Sequence, residues 1–531
     1  MKKIIAIMIV FSSIWMVYYS FQPGSYYKSN LDELRKEFGE KPIPGVDHSK
    51  LEILQQEFDS PQAVSKVCAT CHTERHKEVM ASVHWNWERE ETIPGRGVVK
   101  LGKKNGINNF CIGINSSEGA CTVCHAGFGY KDKEFDFSNE ENVDCMMCHD
   151  NTGTYKKAKT SAGYPKENID LALVAQSSGS PTKLNCGMCH FLGGGGNNVK
   201  HGDLETALLS CDRKVDVHMA KDGLDMECTA CHETENHKIS GKMYSVSSMD
   251  KDRVTCEQCH GEAPHADEMT NLHMAKVACQ TCHIPTYAKA NATKMTWDWS
   301  KSCKVMDPDY VEEDGKGNHS YLGRKGEFTW ETNVVPEYRW FNGTADHYLL
   351  GDKVDTLVPI KINTLLGSYA DKKSKIIPVK IHRGRQIYDP VNKMLIQPKL
   401  WDPEIGKGAL WVDCKIIPKD SIWRIAAKAG MDYLGLPFSG EYTFAKTEMY
   451  WPINHMVAEK ENTLKCQDCH TRDNGRLEGL EGLYLPGRDY NATLDIIGLL
   501  MILGSFGGVL LHGFLRIIAW RKRKNIAEGG E

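Results

Sequence analysis

Cys121-Thr122-Val123-Cys124-His125 reads C-x-x-C-H, and seven further stretches of the chain repeat that pattern. They are Cys68, Cys71 and His72; Cys145, Cys148 and His149; Cys186, Cys189 and His190; Cys228, Cys231 and His232; Cys256, Cys259 and His260; Cys279, Cys282 and His283; and Cys466, Cys469 and His470. The two thiols of each copy stand about one helical turn apart, placed to form thioethers with the vinyl groups of a porphyrin. The histidine that follows falls beneath the iron as its proximal ligand. A redox dithiol or half a zinc site would account for a single copy. Eight copies, each with histidine in fifth place, predict eight covalently bound c-type haems.

That reading changes what the remaining residues must do. A chain of 531 residues is long enough for several ordinary domains, yet eight porphyrins bring apolar bulk of their own. The predicted fold is mainly α and loop-rich, wrapped around a stacked haem core. A net charge of -4, from 65 basic and 69 acidic residues, offers no basic surface for nucleic acid. Of the 20 cysteines, Cys111, Cys211, Cys303 and Cys414 stand outside the motifs. A disulfide between Cys303 and Cys414 is one open pairing.

Residues 1–21 carry Lys2 and Lys3 ahead of an apolar run, the pattern of a secretory signal or an N-terminal anchor. A lead-in, 22–67, precedes a seven-haem domain at 68–283, where gaps of 18 to 48 residues leave room for short helices and loops. Residues 284–465 hold no motif. There Phe328–Val335 and Ile376–Arg383 read as strands and Ser421–Ala429 as helix, giving a mixed α/β insert. The eighth motif and a linker fill 466–492. Residues 493–520 read as a C-terminal transmembrane helix, because Ile496–Leu515 supplies 20 mostly apolar residues, about 30 Å of helix. The tail, 521–531, opens Arg521-Lys522-Arg523-Lys524, which the positive-inside rule keeps cytoplasmic. The haem domain then faces the periplasm or cell exterior from the inner membrane, outside the cytoplasm, where such haems are attached.

Electron-transfer haems need a second strong axial ligand, and 13 histidines lie outside the motifs. His84, His218, His237, His265, His273 and His455 are the predicted distal ligands. His201 and His382 compete for a remaining place.

Asn108-Asn109-Phe110-Cys111, the run Cys121–Asp132, the run Asn185–Asp203, Val215–His218 and Val277–Pro285 together resemble the octahaem tetrathionate reductase family of c-type cytochromes. The likeness extends over residues 60–470. It implies a haem scaffold related to hydroxylamine oxidoreductase and the pentahaem nitrite reductases, with seven irons held by histidine pairs. It also implies that the second haem, on His125, is the active site, with Lys200 from the glycine-rich loop as its distal ligand. Asn108 and Cys111 would flank that iron. The aspartate usual three residues before the lysine is Asn197 here, which removes a charge from proton delivery or substrate selection. Lys131 is the fallback lysine. A calcium ion beside the active site is implied too, although no ligand set stands out in the sequence.

A lysine ligand suits a haem that must open. Only the neutral amine binds iron, and holding it neutral at pH 7 costs roughly 4–5 kcal/mol from a reference pKa near 10.4. Net ligation is then weaker than by histidine, and a substrate can displace it. The expected function is a membrane-anchored octahaem reductase of a small sulfur or nitrogen oxo-species, with tetrathionate, nitrite and hydroxylamine as candidates. Alternatives are a non-catalytic electron conduit and an oxidase of hydroxylamine or a sulfur compound. Within the terminal helix, His512, Arg516 and the Gly504-x-x-x-Gly508 face point to a partner in the bilayer, a quinone-linked cytochrome b subunit to which His512 would supply a haem ligand. A plain anchor whose His512 and Arg516 reach toward the interface is the alternative.

Overall fold

A computed structural model describes residues 31–39, 45–241 and 247–528. The expected leader at 1–21 lies outside the described residues. The chain forms two compact units, Met1–Leu464 and Lys465–Glu531.

In the first unit the motif spacing makes one turn of helix recur. The motif histidine N–H donates to the carbonyl of the first cysteine at His72 (2.9 Å), His149 (3.2 Å), His232 (2.9 Å) and His260 (3.0 Å). This bond brings both thiols to one side of the turn. Flanking residues start these short helices: Ser60 caps Pro61–Cys71, and Thr182 with Asn185 forms a capping box on Lys183–His190. At the second motif the turn tightens to 3-10 form, and the His125 N–H donates to Thr122 O at 2.9 Å.

All seven motifs of this unit line one connected cavity of about 4250 Å³. An ordinary ligand pocket holds roughly 300–1,000 Å³, so the space suits several large groups in series. Motifs meet across it through their thiols. Cys68 lies within hydrogen-bonding reach of Cys145, Cys124 of Cys189, Cys186 of Cys228, and Cys256 of Cys279.

The motif-free segment is richer in strand than expected. Among the described residues helix makes up 30% and strand 19%, so a mixed sheet region stands beside the helices. Without a porphyrin, this segment builds its own core from a nine-stranded sheet. The sheet's spine is Lys375–Asp389. It runs antiparallel to Thr443–Pro452 from Val379↔Pro452 to Tyr388↔Thr443. On its other side it runs parallel to Thr293–Asp298 through Arg383↔Thr296. Thr293–Asp298 in turn pairs with Gly326–Glu331, so both predicted strands are present. The predicted helix is Lys419–Leu434, ended by Gly435 in the left-handed conformation. Trp297, Trp299, Trp423 and Ile387 pack together as the core beside it.

Alternation along the spine decides what meets the cavity wall. Ile377, Val379 and Ile381 pack with Ala278 and Tyr450. Lys380 and Gln386, on the opposite face, reach toward Val199–Lys200 and Asn108. Asn109, fully buried, bridges that face to the next strand. Its amide donates to His382 O at 2.9 Å, and its carbonyl accepts from Thr447 Oγ1 at 2.7 Å.

The second unit contains the eighth motif, where the His470 N–H donates to Cys466 O at 2.8 Å. Gly487, at φ +92°, lies against the His470 backbone where a side chain would clash. The helix Ala492–Glu528 follows. Over Ala492–Ile526 it is long and apolar enough to cross a membrane, with a mean hydropathy of 2.2.

Replacing Asn109 by alanine leaves His382 O and Thr447 Oγ1 without buried partners, and should cost about 2–3 kcal/mol. A lowered midpoint in thermal unfolding followed by circular dichroism is expected, with the haem spectrum of the folded protein unchanged. An unshifted midpoint would remove Asn109 as the tie between sheet and loop.

Candidate functional site

Six of the seven motif histidines in the first unit face a second histidine across the cavity. Ring centres lie 6.2 Å apart for His72 and His48, and 6.4 Å for His190 and His84. The distances are 6.2 Å for His149 and His237, and 6.3 Å for His232 and His455. They are 6.1 Å for His260 and His218, and 5.9 Å for His283 and His265. A metal–imidazole bond of about 2 Å, with roughly 1.1 Å more to each ring centre, puts two axial rings about 6 Å apart. The pairs therefore fit one iron each.

Hydrogen bonds from the backs of these rings hold them in place. Nδ1 donates to a carbonyl at His149 (Gly179 O, 2.8 Å) and His232 (Ser240 O, 2.9 Å). It meets a carboxylate at His237 (Glu78, 2.8 Å) and His455 (Asp203, 3.1 Å). That leaves Nε2 free for a metal, the usual arrangement of a ligating histidine. Burial holds His84, His149, His190, His232, His260 and His283 below the ordinary histidine pKa, His190 to about 3, so all are neutral imidazoles. At His455 burial pulls the same way, but the Asp203 carboxylate outweighs it and the net shift is upward.

His84, His218, His237, His265 and His455 thus stand where distal ligands are expected. His48 completes the first pair and was not foreseen. It lies in the lead-in, 20 residues before the first motif, and no local pattern marks it. His273 has the ligand-like arrangement as well, with Nδ1 2.7 Å from Met269 O. His470, in the second unit, has Nδ1 2.8 Å from Pro486 O.

His382 and His201 differ from these. His382 is fully buried on the central strand, its ring 4.7 Å from Phe110, and it does not line the cavity. Strand alternation turns it into the sheet-to-loop interface, which corrects its expected place among the ligands. His201 does line the cavity, stacked edge-on at 4.7 Å against Trp451, with no motif histidine opposite.

The second motif is built differently. The ring of His125 is fully buried among Trp85, Trp87, Tyr130, Phe135 and Phe137. Its Nε2 donates to Trp85 O at 2.8 Å, and its Nδ1 has no partner. Aromatic packing and that bond hold the ring off the cavity wall, an orientation other than that expected of a proximal ligand. Cys121 and Cys124 do line the wall.

Beside those thiols the wall carries Lys200, Cys111 and Asn108. Gly193 and Gly194 let the lysine loop pass close, since a side chain on either would press on Lys200 or Val199. The lysine backbone is tied down by Lys380, fully buried in the sheet, whose ammonium donates to Val199 O (3.0 Å), Lys200 O (3.2 Å) and Thr293 Oγ1 (2.7 Å). Lys380 was not anticipated; a cation inside the apolar run Ile376–Ile381 was its only signal. The Lys200 Nζ sits 5.0 Å from the Trp451 ring centre. Burial, with the charge of Lys103 adding to it, pushes its pKa down to about 7, so much of it is the neutral amine a metal requires.

Asn108 has a positioning role. Its Oδ1 accepts from Phe110 N (2.8 Å) and Cys111 N (3.0 Å), closing the turn that presents the Cys111 thiol. Ile112, next in sequence, is held at φ +64°, a strained conformation for a β-branched residue. Asn197 turns away from the cavity, and its Oδ1 accepts from Thr206 N at 2.9 Å. This corrects its expected catalytic place to a loop brace. Lys131 is exposed and off the wall, which corrects its standing as fallback. Cys303 and Cys414 adjoin in the core as free thiols, not the disulfide left open above. Among the described residues no group of three or more His, Cys, Asp or Glu is placed to hold a metal ion, so the expected calcium finds no carboxylate cage.

Comparison with known proteins gives the family. The octahaem cytochrome c from Shewanella oneidensis is 45% identical, with a TM-score of 0.73 over 80% of this chain and 94% of that one. The chain belongs to the octahaem c-type cytochromes. Residues 294–473 of this octahaem cytochrome also match the family model "Cytochrome c bacterial", which covers most of the sheet and the eighth motif. An uncharacterized protein of Archaeoglobus fulgidus is 24% identical over 267 residues, 40% of this chain and 86% of its own length. The family and the paired histidines make this a protein of multihaem electron transfer or redox catalysis, with covalently bound c-type haems.

Changing His48 to alanine takes one ring from the first pair. The purified cytochrome should then bind one more equivalent of added imidazole or carbon monoxide than the parent. Equal binding by both proteins would exclude His48 from the ligand set.

Proposed function

We propose that this cytochrome carries eight haems and is a membrane-anchored oxidoreductase that reduces a small sulfur or nitrogen oxo-species at the second motif. The observation that carries the reading is the contrast within one cavity. Six histidine pairs close six iron positions, whereas the wall beside Cys124 presents a buried lysine and a thiol in place of a facing imidazole. Haems supply reversible one-electron chemistry, seven relaying charge and the one at the second motif meeting substrate.

The protein's own contribution is then specific. Cys121 and Cys124 would hold the second haem on the wall beside Lys200, whose amine would be its displaceable ligand, and His125 would reach that haem by giving up its bond to Trp85 O. The Lys200 amine is weak enough to be displaced, and once free its Nζ can hold or give a proton. Asn108 sets the turn that aims Cys111 at an incoming sulfur or nitrogen atom, and Lys380 fixes the lysine loop from behind. Tetrathionate, nitrite and hydroxylamine are the substrates proposed. Running in the oxidative direction, or as a conduit without substrate, are the competing readings.

The terminal helix supports the anchoring half of the proposal, with the haem domain on the periplasmic face of the inner membrane. His512, Arg516 and Gly504 with Gly508 fit a partner subunit of the quinone-linked cytochrome b type.

Lys200→Met removes the displaceable amine. Turnover of the preferred substrate with a chemical reductant should fall by about 10²-fold, while the spectrum of the histidine-paired haems stays as it was. Unchanged turnover would favour the conduit. Ending the chain at residue 491 should release the haem domain from membranes at full haem content. His512→Ala in the full chain should slow quinol-linked reduction, and an unaltered rate would reduce that helix to a plain anchor.

A further inference from the structure

Lys103, Lys200 and Lys325 line the cavity wall around Cys111, and Lys294 lies just behind it. Among the described residues none of the four makes an ion pair. Their neighbours behave otherwise: Lys104 pairs with Glu88 at 3.8 Å, and Arg324 engages Asp309, the acid on that stretch of wall. Burial pushes the pKa of Lys200 and of Lys294 down, which leaves Lys103 and Lys325 as the charged pair, and each of the four stands beside an aromatic ring. Lys103 lies 5.1 Å over Trp87, and Lys325 lies 5.3 Å over Trp411. Lys294, buried, sits 3.3 Å from the Phe328 ring centre and 4.0 Å from that of Trp297. Ring faces tolerate a cation without cancelling its charge. The charged groups acting on Lys200 are Lys103 and the thiols of Cys111 and Cys124; those acting on Lys294 are Lys325, Lys380 and Cys111.

Positive charge in a low-dielectric wall, with no carboxylate to answer it, raises the local concentration of anions. We infer that Lys103 and Lys325 form an anion-binding pair beside Cys111, which selects a small oxyanion over a neutral substrate such as hydroxylamine. This deepens the function proposed above and rests on substrate arriving at the Cys111 wall. Gly195 keeps the loop clear of the pair. A side chain there would stand 3.1 Å from the Lys325 Nζ, and the residue's φ of +91° suits glycine alone.

Cys111 gives a probe that needs no turnover. In the holo-protein the motif cysteines are thioethers, and Cys211, Cys303 and Cys414 are buried, so Cys111 is the cavity thiol open to alkylation. Its reaction with iodoacetate, an anion, and with neutral iodoacetamide is followed by peptide mass in Lys103→Gln, Lys325→Gln and the parent, at matched haem content. The iodoacetate-to-iodoacetamide rate ratio should fall about threefold or more in each variant. In turnover, KM for nitrite should rise about tenfold while KM for hydroxylamine holds within about twofold. A ratio that stays constant in both variants overturns the anion pair even if the enzyme reduces nitrite. A ratio that falls in a protein that turns over nothing leaves the pair standing and removes the enzymatic reading. Should Cys111 resist both reagents, optical titration with nitrite and hydroxylamine decides, and equal weakening of both ligands counts against the pair.

Discussion

Two imidazoles held about one metal's coordination diameter apart, several of them braced from behind, are the constraint on which this molecule rests. The motif turn supplies one ring of each pair. Sequence-distant segments supply the other: His48 from the lead-in, His237 from between the fifth and sixth motifs, His455 from beyond the sheet. Every such pair ties together parts of the chain far apart in sequence, beside small apolar clusters such as that of Leu54, Val64 and Phe128. The short helices between motifs are too small to be stable by themselves, so ligation and thioether bonds would add to what the small apolar clusters supply.

The sheet answers a different demand. A wall that presents a lysine at a defined depth needs a stiff support, and a loop with four successive glycines has none of its own. Lys380 and Asn109 carry the rigidity of the central strand into that loop and into the Asn108–Cys111 turn. Ile112, at the end of that turn, accepts from the Asn108 N–H at 2.7 Å. The segment without haem motifs is therefore the mould of the proposed active wall, while the motif-rich segment is the relay.

Much of this was legible in the residues, because the motif encodes its own geometry: one turn, two thiols, one ring. Distal histidines close to a motif, such as His84 and His265, could be found from proximity alone. His48 could not, since nothing local distinguishes a ligand contributed from far upstream. His382 misled because its neighbours suggest a ligand, whereas its ring, on the strand face of Lys380, packs behind Phe110 and stays off the wall. Asn197 misled for a related reason: it stands in a family position, yet its side chain is spent on Thr206. The extent of the sheet was hidden by strands of two to six residues around two long ones, too short for alternation to register.

The motif thiols that meet in pairs across the cavity bear on how the protein is made. Cys68 adjoins Cys145, Cys186 adjoins Cys228, and Cys256 adjoins Cys279. Thiols that close are prone, under oxidising conditions, to form cross-links between motifs that would bar porphyrin attachment. Maturation must therefore keep the new chain reduced and extended until each tetrapyrrole is in place, and the order in which the motifs are filled becomes the order in which the relay is assembled.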